Sequence, residues 1–460
     1  MLYIMKSILY YQRFVFLFKL LLVTGGVAQA QSDTIYGTSI SSSAKQQAKE
    51  DFHIDLDIRP RTEYRNGFRQ LRSDSSQAAF FTSQRSRLNL TFKKDRFGAA
   101  LSLQDVRIWG AANPVSTSAS LQIFEAYVEP YFNSKLSLRL GKQKIMYDNQ
   151  RLFAQSDWRQ SGATHDAVNL RYYNGRVESE LVLAFNQSGE NTWFTNFAPI
   201  GFSQYKTLGV HYYKYTSSNE KWVLTSINYF EGFQQQSANN VGSDAQNFRY
   251  TDGGRITYSS KRWWLTFSGY LQHGHNPSGK ILSAFYLQPE IKYSLKKTAF
   301  RLGAEFKSGN NTSSNNADYR AVDHSFQYPH GVAHRFNGTM EYFTSNYVGS
   351  SKDVGLFDPY FFVEQRVNDK ISFSLQNHFF FSQWRPINAQ LQLQDQTYLG
   401  FENDVLLTYK PNGYTTVDLG FSWLLASNSM QAISGGNKDY VPHWTYMQAS
   451  FTPRLWPAKN

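Results

Sequence analysis

The stretch Asp51-Phe-His-Ile-Asp-Leu-Asp-Ile-Arg-Pro-Arg-Thr-Glu-Tyr-Arg65 decides the fold class. Phe52, Ile54, Leu56 and Ile58 face one way, while His53, Asp55, Asp57, Arg59, Arg61 and Glu63 face the other. That period of two belongs to a β-strand with one apolar and one polar face. A sandwich strand averages only about 5–6 residues, whereas a tilted membrane crossing needs about 9–11. This run is long enough for the crossing.

The same pattern recurs along the chain. Leu88, Leu90 and Phe92 oppose Arg85, Arg87 and Asn89, and Leu136, Leu138 and Leu140 oppose Lys135, Ser137 and Arg139. Val168 and Leu170 oppose Asn169 and Arg171; Leu181, Leu183 and Phe185 follow Glu178 and Glu180. Later, Phe300, Leu302, Ala304 and Phe306 oppose Arg301, Glu305 and Lys307, and Val417, Leu419, Phe421 and Trp423 oppose Asp418 and Ser422.

Connections alternate between tight (Lys94-Asp95, Asn133-Ser134, Asn174-Gly175, Ser218-Asn219, Ser259-Ser260, Lys296-Lys297, Asn368-Asp369, Pro411-Asn412-Gly413) and long. The long ones lie near 65–79, 111–120, 149–163, 188–202, 235–247, 309–333, 384–395 and 428–442. Short periplasmic turns with long extracellular loops are the layout of an outer-membrane barrel. The runs number about nineteen, but single-chain bacterial barrels have even counts. The rhythm slips at 334–370, so the expectation is an all-β, transmembrane antiparallel β-barrel of about eighteen strands spanning 51–453.

Composition agrees. Aromatic residues make up 17 % of the 460 residues, yet mean hydropathy is −0.49; a chain apolar on one face of every strand has that profile. There is no cysteine, which excludes disulfides and thiolate chemistry. The +12 net charge is spread along the strands rather than clustered on a helix, which argues against nucleic acid. Residues 1–30 read as a signal peptide: Lys6 and Arg13, a short apolar run at Val15–Val23, then Ala28-Gln29-Ala30, with cleavage expected after Ala30. A polar segment follows at 31–50, and a short tail at 454–460 closes the chain. The closing strand candidate, about His443–Phe451, carries Trp444, Tyr446 and Phe451, and the tail past Pro453 departs from the terminal aromatic that barrel-assembly machinery commonly reads.

If the apolar face meets outer-membrane lipid, the other lines a wet lumen. Its cations would be Arg59, Arg61, Arg65, Arg85, Arg87, Arg139, Arg171, Arg301, Lys307, Arg335 and Arg366. Its acids would be Asp55, Asp57, Glu63, Glu125, Glu129, Glu178, Glu305, Glu341, Glu364, Glu402 and Asp404. Single arginines in such a lumen mostly orient neighbouring acids. Collectively, planar guanidinium forks favour carboxylates and a ring of them admits anions. The densest group is Arg59, Arg61, Arg65, Arg85 and Arg87 on the first two strands. Aromatics such as Tyr127, Tyr131, Trp222, Tyr229, Trp263, Trp264, Tyr293, Tyr342 and Tyr409 fit interface girdles. No Gly-x-Ser-x-Gly or His-Glu-x-x-His occurs, so no enzyme activity, catalytic residue or cofactor is expected. His324, His330 and His334 read as exposed loop histidines rather than a metal site.

Several segments together resemble the alginate-export family of porin-like outer-membrane barrels. They are Asp57–Arg65, Ser83-Gln-Arg-Ser-Arg-Leu88, Leu103-Gln-Asp-Val-Arg-Ile-Trp109, Phe124-Glu-Ala-Tyr-Val128 and Leu138-Arg-Leu-Gly-Lys-Gln143 running into Tyr147-Asp148 and Gln150-Arg151. His165-Asp-Ala and Gly303-Ala-Glu-Phe306 with Ser308-Gly309 complete the set. The long Asn/Ser loops look like those of a Bacteroidetes-type member. The resemblance covers roughly 52–452. It implies eighteen strands, a basic constriction, a loop partly closing the pore and, as in the type member, diffusion of a polyanionic polysaccharide. Its matching positions are Arg59, Arg61, Arg85, Arg87, Arg107 and Arg139, with Asp105 and Glu125 as lumen acids. Two functions follow: passive passage of anionic solutes or alginate-like polysaccharide, or a surface-binding, structural barrel with a plugged lumen.

Overall fold

The structure, a computed structural model, describes residues 51–457 apart from 112–119, 194, 198–204, 236–244, 333, 344–352, 389 and 391. The expected signal peptide, its cleavage site and the polar segment 31–50 lie outside the described residues. In chain order the first strands are β1 (Asp51–Asn66), β2 (Ala79–Lys94), β3 (Phe97–Ile108), β4 (Gln122–Pro130), β5 (Leu136–Gln143), β6 (His165–Tyr173) and β7 (Val177–Phe185). Next come β8 (Thr207–Thr216), β9 (Trp222–Gln234), β10 (Gln246–Ser259), β11 (Trp263–His275), β12 (Ile281–Ser294) and β13 (Thr298–Lys307). A two-residue β14 (Val322–Asp323) precedes β15 (Leu356–Arg366), β16 (Ile371–Phe381), β17 (Tyr398–Asn412), β18 (Thr415–Ala426), β19 (His443–Phe451) and β20 (Arg454–Trp456). Two short helices, α1 (Ala317–Arg320) and α2 (Asn428–Ser434), sit in loops.

Setting aside the short β14 and β20, eighteen strands pair antiparallel with their neighbours, and β19 returns to pair with β1, closing the sheet. Closure is what removes the sheet edges that lipid could not satisfy. The seam is made in two pieces. β19 covers the upper half of β1 (Ile58↔Phe451 to Asn66↔His443), and the tail strand β20 covers Ile54 and Asp55 below it. The expected tally of about nineteen runs resolves to eighteen barrel strands; among the described residues of 334–370 there is one strand, β15.

Local chemistry explains the tight turns. Asn133, Asn174, Asn219, Asn368 and Asn412 each turn the side-chain oxygen onto a backbone N–H two residues on, the Asx turn that Asn makes readily. At this end Trp222 packs on Tyr258 and Trp263 on Tyr293, on the outer face, as an interface girdle should. Not all the expected girdle aromatics do so. Tyr229 is buried inside the barrel, Tyr127 lies under Arg139, and Trp264 lies near Arg255 and Arg301 on the lumen side. Tyr342 belongs to an inward loop.

The core sits within the lumen. One apolar cluster joins Tyr147, Leu152 and Phe153 to wall residues such as Tyr212, Tyr229 and Tyr286 and to Phe326 and Tyr328. A second joins Met340, Tyr342 and Phe343 to Phe380, Leu424 and Trp444. The described parts of two long connections, 144–164 and 308–355, fold inward from the long-loop end to supply much of both clusters, with Tyr205 added to the first and Leu71, Met430 and Ile433 to the second.

Candidate functional site

The β1–β2 register sets Arg59 opposite Arg85 and Asp57 opposite Arg87, so alternate residues of both strands present guanidiniums to the lumen. The inward loop 144–164 lands on this wall. Asp157 places one carboxylate oxygen 3.0 Å from Nη1 of Arg59 and the other 2.8 Å from Nη1 of Arg85. The wall also captures the loop backbone: Arg59 donates to the carbonyls of Asp157 (2.6 Å) and Arg159 (3.1 Å), and Arg61 to that of Trp158 (2.7 Å). Arg59 also donates to Gln160 at 3.0 Å, and Gln104 donates to the Ser161 carbonyl at 3.1 Å. The Trp158 ring lies 3.8 Å below Arg61 and stacks on His334 at 3.8 Å. Burial alone would raise the Asp157 carboxyl, but the Arg59 and Arg85 guanidiniums outweigh it and hold it at about 2.

The remaining basic positions are paired within the wall. Arg61 and Arg65 share Glu63, at 2.9 and 2.7 Å. Arg139 and Arg171 share Glu129, at 2.8 and 3.0 Å, and Arg171 also reaches Glu180 at 2.9 Å. Glu125 pairs with Lys144 at 2.8 Å. Arg85 also meets Asp57 at 2.5 Å, whereas Arg87 donates to Gln104 and lies 3.4 Å over the Phe124 ring.

Two expected lumen residues point the other way. Asp105 pairs across the sheet with Ser86 and Arg107 with Gln84, so both share the outward face of Leu88, Leu90 and Leu103. They pair with each other there at 2.5 Å. The inward face of β3 belongs to Ser102 and Gln104, both buried. Arg59, Arg61, Arg65, Arg85, Arg87, Arg139, Arg171 and Glu125 are on the lumen side.

On β13, β15 and β17, a few strands from β1 round the closed sheet, lies an acidic wall. Glu402 accepts from the Met340 amide at 2.8 Å, and Asp404 accepts from the Thr339 hydroxyl and, at 3.3 Å, from its amide. Asn337 donates to Glu305 (2.5 Å) and Asp358 (3.1 Å), and Asp358 pairs with His378 at 2.9 Å. Gly338 has φ of +75°, and a Cβ there would lie 2.4 Å from the Glu402 carboxylate, so the close approach requires glycine.

The two inward loops also meet each other. The Ala154 amide donates to the His330 carbonyl at 2.9 Å and the Val332 amide to the Gln150 carbonyl at 3.0 Å. Arg151 is 1 % exposed. It binds Glu305, donates to Asn337 (2.7 Å) and to the Val332 carbonyl (3.2 Å), and lies 3.8 Å over the Tyr328 ring. His330 is therefore buried and His334 half-buried, not exposed as expected: His330 pairs with Glu231 at 2.9 Å and His334 with Glu341 at 3.0 Å. His324 stays apart, stacked on Tyr319 at 4.1 Å.

Sequence reasoning missed Asp157, Trp158, Gln160 and Arg151. The available signal was compositional: 144–164 carries Leu152-Phe153-Ala154 and Trp158 where a loop such as 309–316 runs to Asn and Ser.

A family model described as alginate export matches residues 51–443. No curated protein matches the chain. Solved structures share the architecture at low identity, and at that distance they speak to the fold alone. Pseudomonas aeruginosa OpdK with vanillate is 10 % identical, covers 88 % of this chain and 99 % of its own, and has a TM-score of 0.56. OccK3 (OpdO) of the same organism is 10 % identical over 88 % and 96 %, TM-score 0.58. OccK11 (OpdR) is 13 % identical over 88 % and 97 %, TM-score 0.55. The chain is an outer-membrane barrel channel and belongs to the alginate-export family.

Proposed function

We propose that the channel passes anionic solutes passively, with carboxylate-bearing saccharides of the alginate kind as the fitting class. The carrying observation is the crowding of Arg59, Arg61, Arg65, Arg85 and Arg87 on one lumen wall, where the carboxylates paired with them are Asp57, Glu63 and Asp157 among the described residues. Fixed positive charge in a narrow lumen raises the local concentration of anions and lowers that of cations. Guanidinium forks suit planar carboxylates better than lysine would. OpdK was solved with vanillate, itself a carboxylate, which agrees with this reading.

A second reading, a structural or surface-binding barrel with a filled lumen, is favoured by the contact between the two inward loops and the apolar clusters they complete. Planar-bilayer recording under a KCl gradient separates the two. The expected result is a conducting, anion-selective pore whose selectivity falls when Arg59, Arg61, Arg85 and Arg87 are all replaced by Ala. Cation selectivity would overturn the first reading, and absence of conductance would favour the second.

A further inference from the structure

We propose that the Arg59–Arg85 fork is a carboxylate-binding subsite of the permeation path and that Asp157 fills it as the chain's own stand-in ligand. The proposal rests on the anion-channel reading above. Two guanidiniums from neighbouring strands grip opposite oxygens of one carboxylate, at 3.0 and 2.8 Å. That is the geometry with which a protein holds a ligand carboxylate. The carboxylate comes not from the wall but from a loop, and the two sides of the contact differ in exposure. The Arg59 and Arg85 side chains are 5 % and 4 % exposed, whereas that of Asp157 is 28 % exposed. The binding half is embedded and the bound half is open to a competitor.

Removing Asp157 leaves Arg59, Arg85 and Arg87 with Asp57 as their remaining close carboxylate. Buried, unbalanced guanidiniums strongly favour recapture of an anion, and one of the Arg85 donors, Nε, already has no hydrogen-bond partner. A solute carboxylate that takes the fork therefore also releases the side-chain anchor of loop 144–164 on this wall. Occupancy of the subsite and release of this side-chain anchor become one event, while the contacts to the Trp158 and Ser161 carbonyls still hold the loop.

Competition with a tethered group also selects the solute. A side chain held by its own chain competes at an effective concentration in the millimolar range or above. A single carboxylate must be at least that abundant. A chain bearing many carboxylates in sequence gains the same local-concentration advantage and displaces Asp157 when dilute. The class implied is a polycarboxylate, with polyuronate as the model probe.

The test compares wild type, Asp157→Asn and Asp157→Glu in planar bilayers, after heat-modifiable gel migration shows each barrel to be closed. Asp157→Ser serves if the Asn variant does not assemble. Block is titrated with monomeric galacturonate and with oligogalacturonate. In wild type the oligomer is expected to block far below the monomer. In Asp157→Asn the monomer's half-blocking concentration should fall by roughly tenfold or more, with larger open conductance; Asp157→Glu should stay close to wild type. An anion-selective wild type whose block is unmoved in Asp157→Asn overturns the subsite and leaves the channel reading intact. A wild type without anion selectivity overturns both.

Discussion

The arginine wall and the acidic wall hold inward loops by opposite halves of the peptide group. On β1 and β2 the guanidiniums have only donors, and they take the carbonyls of Asp157, Trp158 and Arg159. On β17 the carboxylates have only acceptors, and they take the amides of Thr339 and Met340. The difference teaches that lumen charge here solves the problem of bringing irregular backbone into a barrel, where every buried N–H and C=O needs a partner. The grips differ in one respect: the arginines of β1 and β2 also hold a loop carboxylate, that of Asp157, the group with which an anion is proposed to compete, whereas Glu402 and Asp404 hold only amides and a hydroxyl.

Arg151 is the strongest lever on this contrast, because it joins loop 144–164 both to the second inward loop and to Glu305 on β13. Arg151→Ala removes the partner of the buried Glu305 and the contacts to Asn337 and Val332. Breaking a buried pair from one side costs about 3–5 kcal/mol. Urea unfolding of the detergent-solubilised barrel should show that loss. A loss below about 1 kcal/mol would mean that each wall secures its loop independently.

Acid should act on the arginine wall next. Asp157 is held at about 2 by Arg59 and Arg85 against the opposing effect of burial, from an ordinary value of 3.8. A carboxyl depressed in the folded state contributes stability above its unfolded value and loses it as pH falls through the folded one. The contribution is therefore complete above about pH 5 and vanishes toward pH 2, and it is on the order of 2 kcal/mol. Conductance should be flat from pH 8 to 5 and change between pH 4 and 2. Asp157→Asn should lack that acid step. An identical step in the variant would assign it to other carboxyls.

Much of the barrel was legible because the membrane enforces one rule on every strand: apolar outward, polar inward. Arg59, Arg61, Arg85 and Arg139 could be placed from parity alone. Asp105 and Arg107 could not be placed by resemblance, since Leu103–Trp109 mixes polar and apolar residues at both parities. Register would have settled them. The tight turn pairing Lys94 with Phe97 fixes Gln84 opposite Arg107, and Gln84 shares the outward parity of Leu88 and Leu90. The inward loops were illegible for a different reason. Whether a loop folds into a lumen depends on partners remote in sequence, as Arg151 and Asn337 are at 186 positions apart, and no local period records that. The buried state of His330 and the half-buried state of His334 were lost with it.

The smallest effect is expected where the acidic wall is neutralised. In Glu402 one carboxylate oxygen accepts from the Met340 amide at 2.8 Å, and the other is buried without a hydrogen-bond partner. Asp404 lies two residues on, on the same inward face. Glu402→Gln keeps the acceptor that Met340 needs and supplies an N–H₂ that Asp404 can accept from. Stability should therefore change by less than about 1 kcal/mol, with a gain more natural than a loss. Urea unfolding measures it directly. A loss approaching that of Arg151→Ala would show that the acidic wall depends on its full charge to hold the 337–341 segment. The two walls would then be equivalent clamps on their loops.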